Sequence, residues 1–274
     1  MGLRRPRSRA ELFEASARFG YAARGFVYLV VGAFALFAAF ELRGDAVGTH
    51  GVLGAFARWP LGALWLGTVG VGLWGFTAWR LAQCVLDADR RGSDIKALAV
   101  RAGQGLSAVI YGALAWSAFS AIDGLESFRS EDAETRETTA RIMALPLGEL
   151  IVAGVALFVL AAGVANVGHA FRHDFRDDLR LEGATARRVA RLAKAGYAAR
   201  GGAFLLFGGF LLRAALNARA AEARGLGGAL QALEALPFGS GLLAAAGAGL
   251  IAFGLYGFVE ARFRRVRAPD DLRR

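Results

Sequence analysis

His169 and His173 are four residues apart, so a helix would carry both on one face, and Asp174, Asp177 and Asp178 follow. Two imidazoles and a carboxylate resemble a zinc ligand set. They make His169 and His173 weak metal candidates, because the pair lacks the glutamate that zinc hydrolases place beside the first histidine. The plainer alternative is a charged helix end with side chains paired across one turn. His50 falls on the other side of the apolar stretches from His169, which excludes a haem held by both. Cys84 is the single cysteine, so no internal disulfide is possible. Ser, His and Asp form no visible triad, and the glycine-rich segments lie inside apolar stretches. No catalytic residue, metal or cofactor is therefore assigned, and the chain reads as a non-enzyme.

A second set is ionic. Arg24 and Arg200 sit about one turn inside long apolar stretches, where ionisable groups are functional candidates. Gln83, His169 and Glu260 stand twenty-three residues after Pro60, Pro146 and Pro237. The register pairs Arg24 with Gln83, Ser107 with His169 and Arg200 with Glu260. Each pair is expected to close one end of a hairpin, an Arg–carboxylate contact being bidentate and stronger where water is scarce. The alternative is that both arginines reach anionic lipid headgroups.

The elements carrying these residues are membrane spans. Apolar residues make up 55% of the chain and mean hydropathy is +0.41, although the chain holds 33 Lys and Arg. The charges cluster between long uncharged stretches, as they do when lipid solvates the apolar parts. Six stretches reach the roughly 20 residues that a bilayer core requires: 20–40, 61–81, 102–122, 147–168, 195–216 and 239–259. Arg4-Arg5-Pro6-Arg7 does not open a cleavable signal, because the stretch that follows is too long. With the N-terminus cytoplasmic, 25 of the 33 Lys and Arg fall inside and 8 outside. The net charge of +10 therefore sets topology and attracts anionic headgroups on the cytoplasmic face. No helix-turn-helix or zinc-finger pattern accompanies it, so nucleic acid is not expected.

The spans come as three copies of one hairpin. Gly20-Tyr21-Ala22-Ala23-Arg24-Gly25 recurs as Gly196-Tyr197-Ala198-Ala199-Arg200-Gly201, with Gly103-Gln104-Gly105-Leu106-Ser107-Ala108 as the diverged copy. The even spans open at Pro60, Pro146 and Pro237, read as first helical positions. The organisation is a basic arm at 1–17, copies at 18–91, 99–180 and 191–264, and a tail at 265–274. Leu226, Leu230, Leu233 and Leu236 predict a short helix lying in the outer interface. Gly67, Gly70, Gly72 and Gly75, with Gly247, Gly249, Gly254 and Gly257, are candidates for close helix packing. Trp59, Trp65, Trp74, Trp79 and Trp116 read as interface anchors and packing. The expected fold is all-α: six transmembrane helices as three parallel repeats in a pseudo-threefold bundle.

The Gly-Tyr-Ala-Ala-Arg-Gly openings, Leu236-Pro237-Phe238-Gly239 and the ending Gly254-Leu255-Tyr256-Gly257-Phe258-Val259-Glu260-Ala261-Arg262 resemble the bacterial membrane proteins of domain-of-unknown-function family 1206. The resemblance runs from about Arg18 to Arg264, and copy two departs from it at Ser107 and Ala108. It implies tandem two-helix repeats in a bacterial cytoplasmic membrane and no particular activity. The expected function is a non-enzymatic structural, stress-related or partner-binding role. The alternatives are a small-solute transporter or channel on the pseudo-threefold axis, and a metal-dependent enzyme at His169. Arg24, Arg200, Gln83, His169 and Glu260 are the structural or ligand candidates.

Overall fold

The computed structural model describes residues 9–41, 46–57, 60–89, 91–122, 131–175 and 181–264. Asp177, Asp178, Trp59, the His50 ring, the Arg4–Arg7 run and the 265–274 tail lie outside the described residues. Nine α-helices fill the described part: α1 (Arg9–Ala39), α2 (Thr49–Ala57), α3 (Gly62–Val85), α4 (Ile95–Ile122), α5 (Glu131–Met143), α6 (Gly148–Arg172), α7 (Gly183–Leu216), α8 (Leu226–Gln231) and α9 (Gly239–Phe263). A 3₁₀ turn, Ala220–Glu222, precedes α8.

Five of them are long and apolar enough to cross a membrane: Phe13–Ala39 within α1, and the whole of α4, α6, α7 and α9. The chain is a multi-pass membrane protein. The expected sixth span, α3, has the length but falls short in composition, because its 24 residues include Trp65, Trp74, Trp79 and five glycines. Two helices run beyond the expected spans at their N-terminal ends. α1 begins at Arg9 and α7 at Gly183, so Arg24 and Arg200 lie mid-helix although near the start of the apolar stretch of each.

The long helices pack in the order α4–α3–α1–α9–α7–α6. A closed ring of three hairpins needs one further contact, α4 against α6, and between these helices contact is at most marginal. Copy two is therefore open. The repeat register explains the opening. Gly20 and Gly196 lie so close to Phe76 and Phe253 that an added Cβ would meet their backbones, whereas Gly103 has nothing within 4 Å. Tyr21 meets Phe76 edge-on at 5.3 Å, and Tyr197 meets Phe253 at 5.2 Å. Copy two has Gln104 and Ala162 at those positions, so it lacks the ring pair that joins the other two hairpins.

Glycine makes the tightest contact possible. On α1 and α9, a Cβ on Gly25 would lie 2.6 Å from Gly254 O, and one on Gly254 would lie 2.6 Å from Gly25 O. Gly32 and Gly247 repeat the approach two turns away. Gly67 is the exception among the expected packing glycines, with only Ile122 nearby at 3.7 Å. Trp79 takes the packing role among the tryptophans. It is fully buried and donates from Nε1 to Tyr21 Oη at 2.8 Å, whereas Trp65, Trp74 and Trp116 remain exposed.

The prolines are not first helical residues. Leu61, Leu147 and Phe238 follow them as N-caps in the left-handed region, at φ of 62°, 59° and 62°, and the glycine after each opens the helix. A non-glycine residue there costs about 1–2 kcal/mol. Leu147→Gly is expected to raise stability by about 1 kcal/mol, read as a later unfolding midpoint in detergent; an unchanged midpoint would show that the cap is unstrained.

The loops at the far end join the copies. Glu131 and Asp132 of α5 accept the backbone N–H of Leu226 (3.1 Å) and Gly225 (2.7 Å), and Gln231 donates to Ala46 O at 3.3 Å. Leu226 and Leu230 are buried in this layer, so α8 turns its leucines onto protein rather than into the interface. At the opposite end, Asp87 Oδ1 and Oδ2 accept the N–H of Arg91 (2.9 Å) and Gly92 (2.8 Å). The Gly92 and Arg91 bonds hold its carboxyl below the usual range, with a smaller contribution from Arg101. This support is present above the ordinary carboxylate pKa and is lost as pH falls through the lowered value. Loss of Gly92 amide protection, relative to its intrinsic exchange rate, is expected under acid, or at neutral pH in Asp87→Asn; equal protection in wild type and variant would refute it.

Candidate functional site

The ionic candidates gather into one cluster, and they pair one copy over from the expected partners. Arg24 of α1 binds Glu260 of α9, and Arg264 takes the other Glu260 oxygen. Glu260 is fully buried and Arg24 is 2% exposed. Arg200 of α7 does not reach Glu260. Its Nη1 donates to Asn166 Oδ1 of α6 at 2.7 Å and its Nε to Tyr28 Oη of α1 at 3.1 Å. Gln83 is buried and donates to Asp89 at 2.8 Å while accepting from Arg80 at 3.1 Å. Gln104 of α4 donates to the same Asp89 oxygen at 3.2 Å.

Two arginines missed in the sequence follow the same shift between copies. Arg18 and Arg101 each stand two residues before a copy's first glycine. Arg18 donates to the carbonyls of Ala261 (3.0 Å), Arg262 (3.2 Å) and Arg264 (3.2 Å) at the end of α9. Arg101 donates to Cys84 O (2.8 Å) and Val85 O (3.1 Å) at the end of α3. Cations at a helix C-terminus satisfy orphan carbonyls and oppose the macrodipole. Their constant offset from the glycine was the available signal. Lys194 holds the third such position.

Aromatic rings separate the guanidinium groups. Phe76 is shared by Arg24 and Arg80, each 4.9 Å from its centroid, and Phe253 by Arg24 (5.0 Å) and Arg200 (5.1 Å). Phe204 lies 4.4 Å from Arg200. Such contacts contribute about 0.5–2 kcal/mol each when desolvated. The rings also carry the repeat: Tyr28 meets Phe253 at 4.9 Å and Tyr111 meets Phe76 at 4.8 Å, both edge-on and both between copies. Tyr28, Tyr111 and Arg200, from three odd-numbered spans, thus meet at the centre of the bundle.

His169 and His173 stack face to face, 4.2 Å between centroids, and His169 also meets Phe175 and Tyr197. Among the described residues, no group of three His, Cys, Asp or Glu side chains is placed to hold a metal. His169 and Ser107 do not form the expected pair: His169 belongs to an aromatic cluster with the buried Phe175 and Tyr256.

A family model described as Domain of Unknown Function (DUF1206) matches three segments, residues 19–87, 102–173 and 195–264. The chain is 29% identical over 255 residues to the "Uncharacterized protein YxxB" of Bacillus subtilis (strain 168), covering 91% of this chain and 90% of that protein. No solved structure matches.

Proposed function

The chain belongs to the DUF1206 family, and from that premise we propose a non-enzymatic, six-span protein of the bacterial cytoplasmic membrane with both termini in the cytoplasm. Its role is structural, stress-related or partner-binding. One observation carries this reading: the buried Arg24–Glu260–Arg264 group joins the first copy to the third. It locks the bundle instead of facing a passage. The filled centre at Tyr28 and Tyr111, 3% and 5% exposed, supports this over solute passage along the axis.

Counting α3 as a span rests on its outward side chains. Leu64, Trp65, Val71, Trp74, Leu81 and Val85 are exposed along its length, suited to lipid. Its glycines Gly70, Gly72 and Gly75 face Phe119, Ala23 and Ser16. The low mean hydropathy thus reflects packing glycines rather than a wet surface. With six spans, the 25-to-8 distribution of Lys and Arg places the basic ends in the cytoplasm, beside anionic headgroups.

Reporter fusions test the reading. Fusions after Gly92 and Arg187 are expected to report cytoplasm, and one after Arg136 the outside. An external signal at Gly92 would remove α3 from the spans; a cytoplasmic signal at Arg136 would overturn the topology.

A further inference from the structure

Arg200 is a charge without a counter-charge. Its hydrogen-bond partners, Tyr28 Oη and Asn166 Oδ1, are neutral. The rings about it, Phe204, Phe253 and Tyr28, lie 4.4, 5.1 and 5.5 Å from its Cζ. No carboxylate among the described residues pairs with it, in contrast to Arg24. Its Nη2 makes no hydrogen bond to a described residue, and the side chain is only half-buried, which leaves one edge of the guanidinium accessible. Beside Tyr28 lies Tyr111, 5% exposed, whose hydroxyl makes no well-formed hydrogen bond.

The helices of copy two flank this guanidinium. α4 and α6 do not close on each other, and Gly103 has nothing within 4 Å. Asn166 of α6 holds Arg200, and Tyr111 comes from α4, so the two helices that fail to meet supply groups beside the same guanidinium. Where copies one and three carry an arginine four residues after the first glycine, copy two has Ser107.

We propose that Arg200, with the Tyr28 and Tyr111 hydroxyls, seats a phosphate-class anion that enters sideways between α4 and α6. The planar guanidinium matches two phosphate oxygens. Tyr28 and Asn166 fix its orientation, and Tyr111 supplies a further donor. Two sources share this chemistry: the headgroup of an anionic phospholipid, whose chains would lie along exposed Val109, Ile110, Val155 and Val164, and free phosphate. The proposal relies on the membrane reading only for the lipid source.

The test uses the full-length protein in nanodiscs, with phosphatidylglycerol or phosphatidylcholine in both leaflets and with or without millimolar inorganic phosphate. Native mass spectrometry counts retained lipid, and a melting curve follows stability. Wild type is expected to retain phosphatidylglycerol about tenfold over phosphatidylcholine, matching the ~1.4 kcal/mol that corresponds to a tenfold preference. Arg200→Gln abolishes the preference and Arg200→Lys reduces it, since Lys keeps the charge but loses the fork. Stabilisation of wild type by inorganic phosphate, absent in both variants, would assign the seat to the free anion. Equal retention of both lipids by wild type, with no effect of phosphate, overturns the proposal, and that result stands even where Arg200→Gln fails to fold. A preference unchanged in Arg200→Lys and Arg200→Gln overturns it too. The assay reads binding with lipid on both sides, so its outcome is independent of sidedness and of the non-enzymatic reading.

Discussion

Glu260→Gln is expected to destabilise the full-length protein by about 3–5 kcal/mol, the usual cost of leaving a buried charge unpaired. Arg24→Gln should cost clearly less. Among the described residues, Glu260 is the carboxylate that Arg24 and Arg264 share, and it is fully buried. Its loss leaves Arg24 at 2% exposure among Tyr21, Phe76 and Phe253 with no counter-charge. Loss of Arg24 leaves Glu260 still neutralised by Arg264, whose side chain is 20% exposed. Combining Arg24→Gln with Glu260→Gln should recover part of the Glu260→Gln loss, because the orphaned guanidinium is gone. Arg200→Gln combined with Glu260→Gln should lie nearer to additive, since these two residues make no hydrogen bond. The measurement is the melting midpoint of monodisperse protein in detergent. Equal, mild effects of Glu260→Gln and Arg24→Gln would mean that the pair behaves like a solvated surface ion pair.

This asymmetry separates what the sequence contained from what it did not. The copies were legible because Gly-Tyr-Ala-Ala-Arg-Gly recurs unchanged, and helix type was legible from uncharged stretches of span length. Arg24, Gln83, Arg200 and Glu260 stand out in the sequence, since ionisable or amide groups inside apolar stretches are costly. Their partners were not legible. The first and fifth spans, α1 and α7, each have an antiparallel even neighbour on both sides, one from their own copy and one from the copy before. Both neighbours present the same repeat position at the same depth, so register alone cannot choose between them. Packing makes the choice: α1 meets α9 glycine to glycine and over a more extensive contact than it makes with α3. The opening in copy two was partly visible, as Gln104 for tyrosine and Ser107 for arginine. Its consequence required knowing that Tyr21 and Tyr197 hold their hairpins by resting on Phe76 and Phe253.

The α1–α9 contact gives the other large effect. Gly254→Leu should abolish the folded protein, and Gly254→Ala should cost about 1–3 kcal/mol, the range for inserting a methyl group into packed structure. The first added carbon already meets Gly25 O at 2.6 Å and the Leu29 backbone at 2.6 Å, and a carbonyl in a regular helix cannot retreat as a flexible side chain can. The helices must separate, and separation spreads. Gly32 and Gly247 lie on the same seam, and Arg24–Glu260 lies beside it, so both contacts loosen together. Gly25→Val should act like Gly254→Leu, because its Cβ meets Gly254 O from the other side. The control is Gly209→Leu in α7, where an added Cβ meets nothing within 4 Å and the position is exposed. It should change the midpoint by no more than about 0.5 kcal/mol, as is usual for surface sites. If Gly254→Leu and Gly209→Leu yield equal amounts of monodisperse protein, glycine approach does not hold α1 to α9. The ion pair would then have to hold the two copies together alone, which predicts a deeper loss in Glu260→Gln than a single uncompensated charge produces.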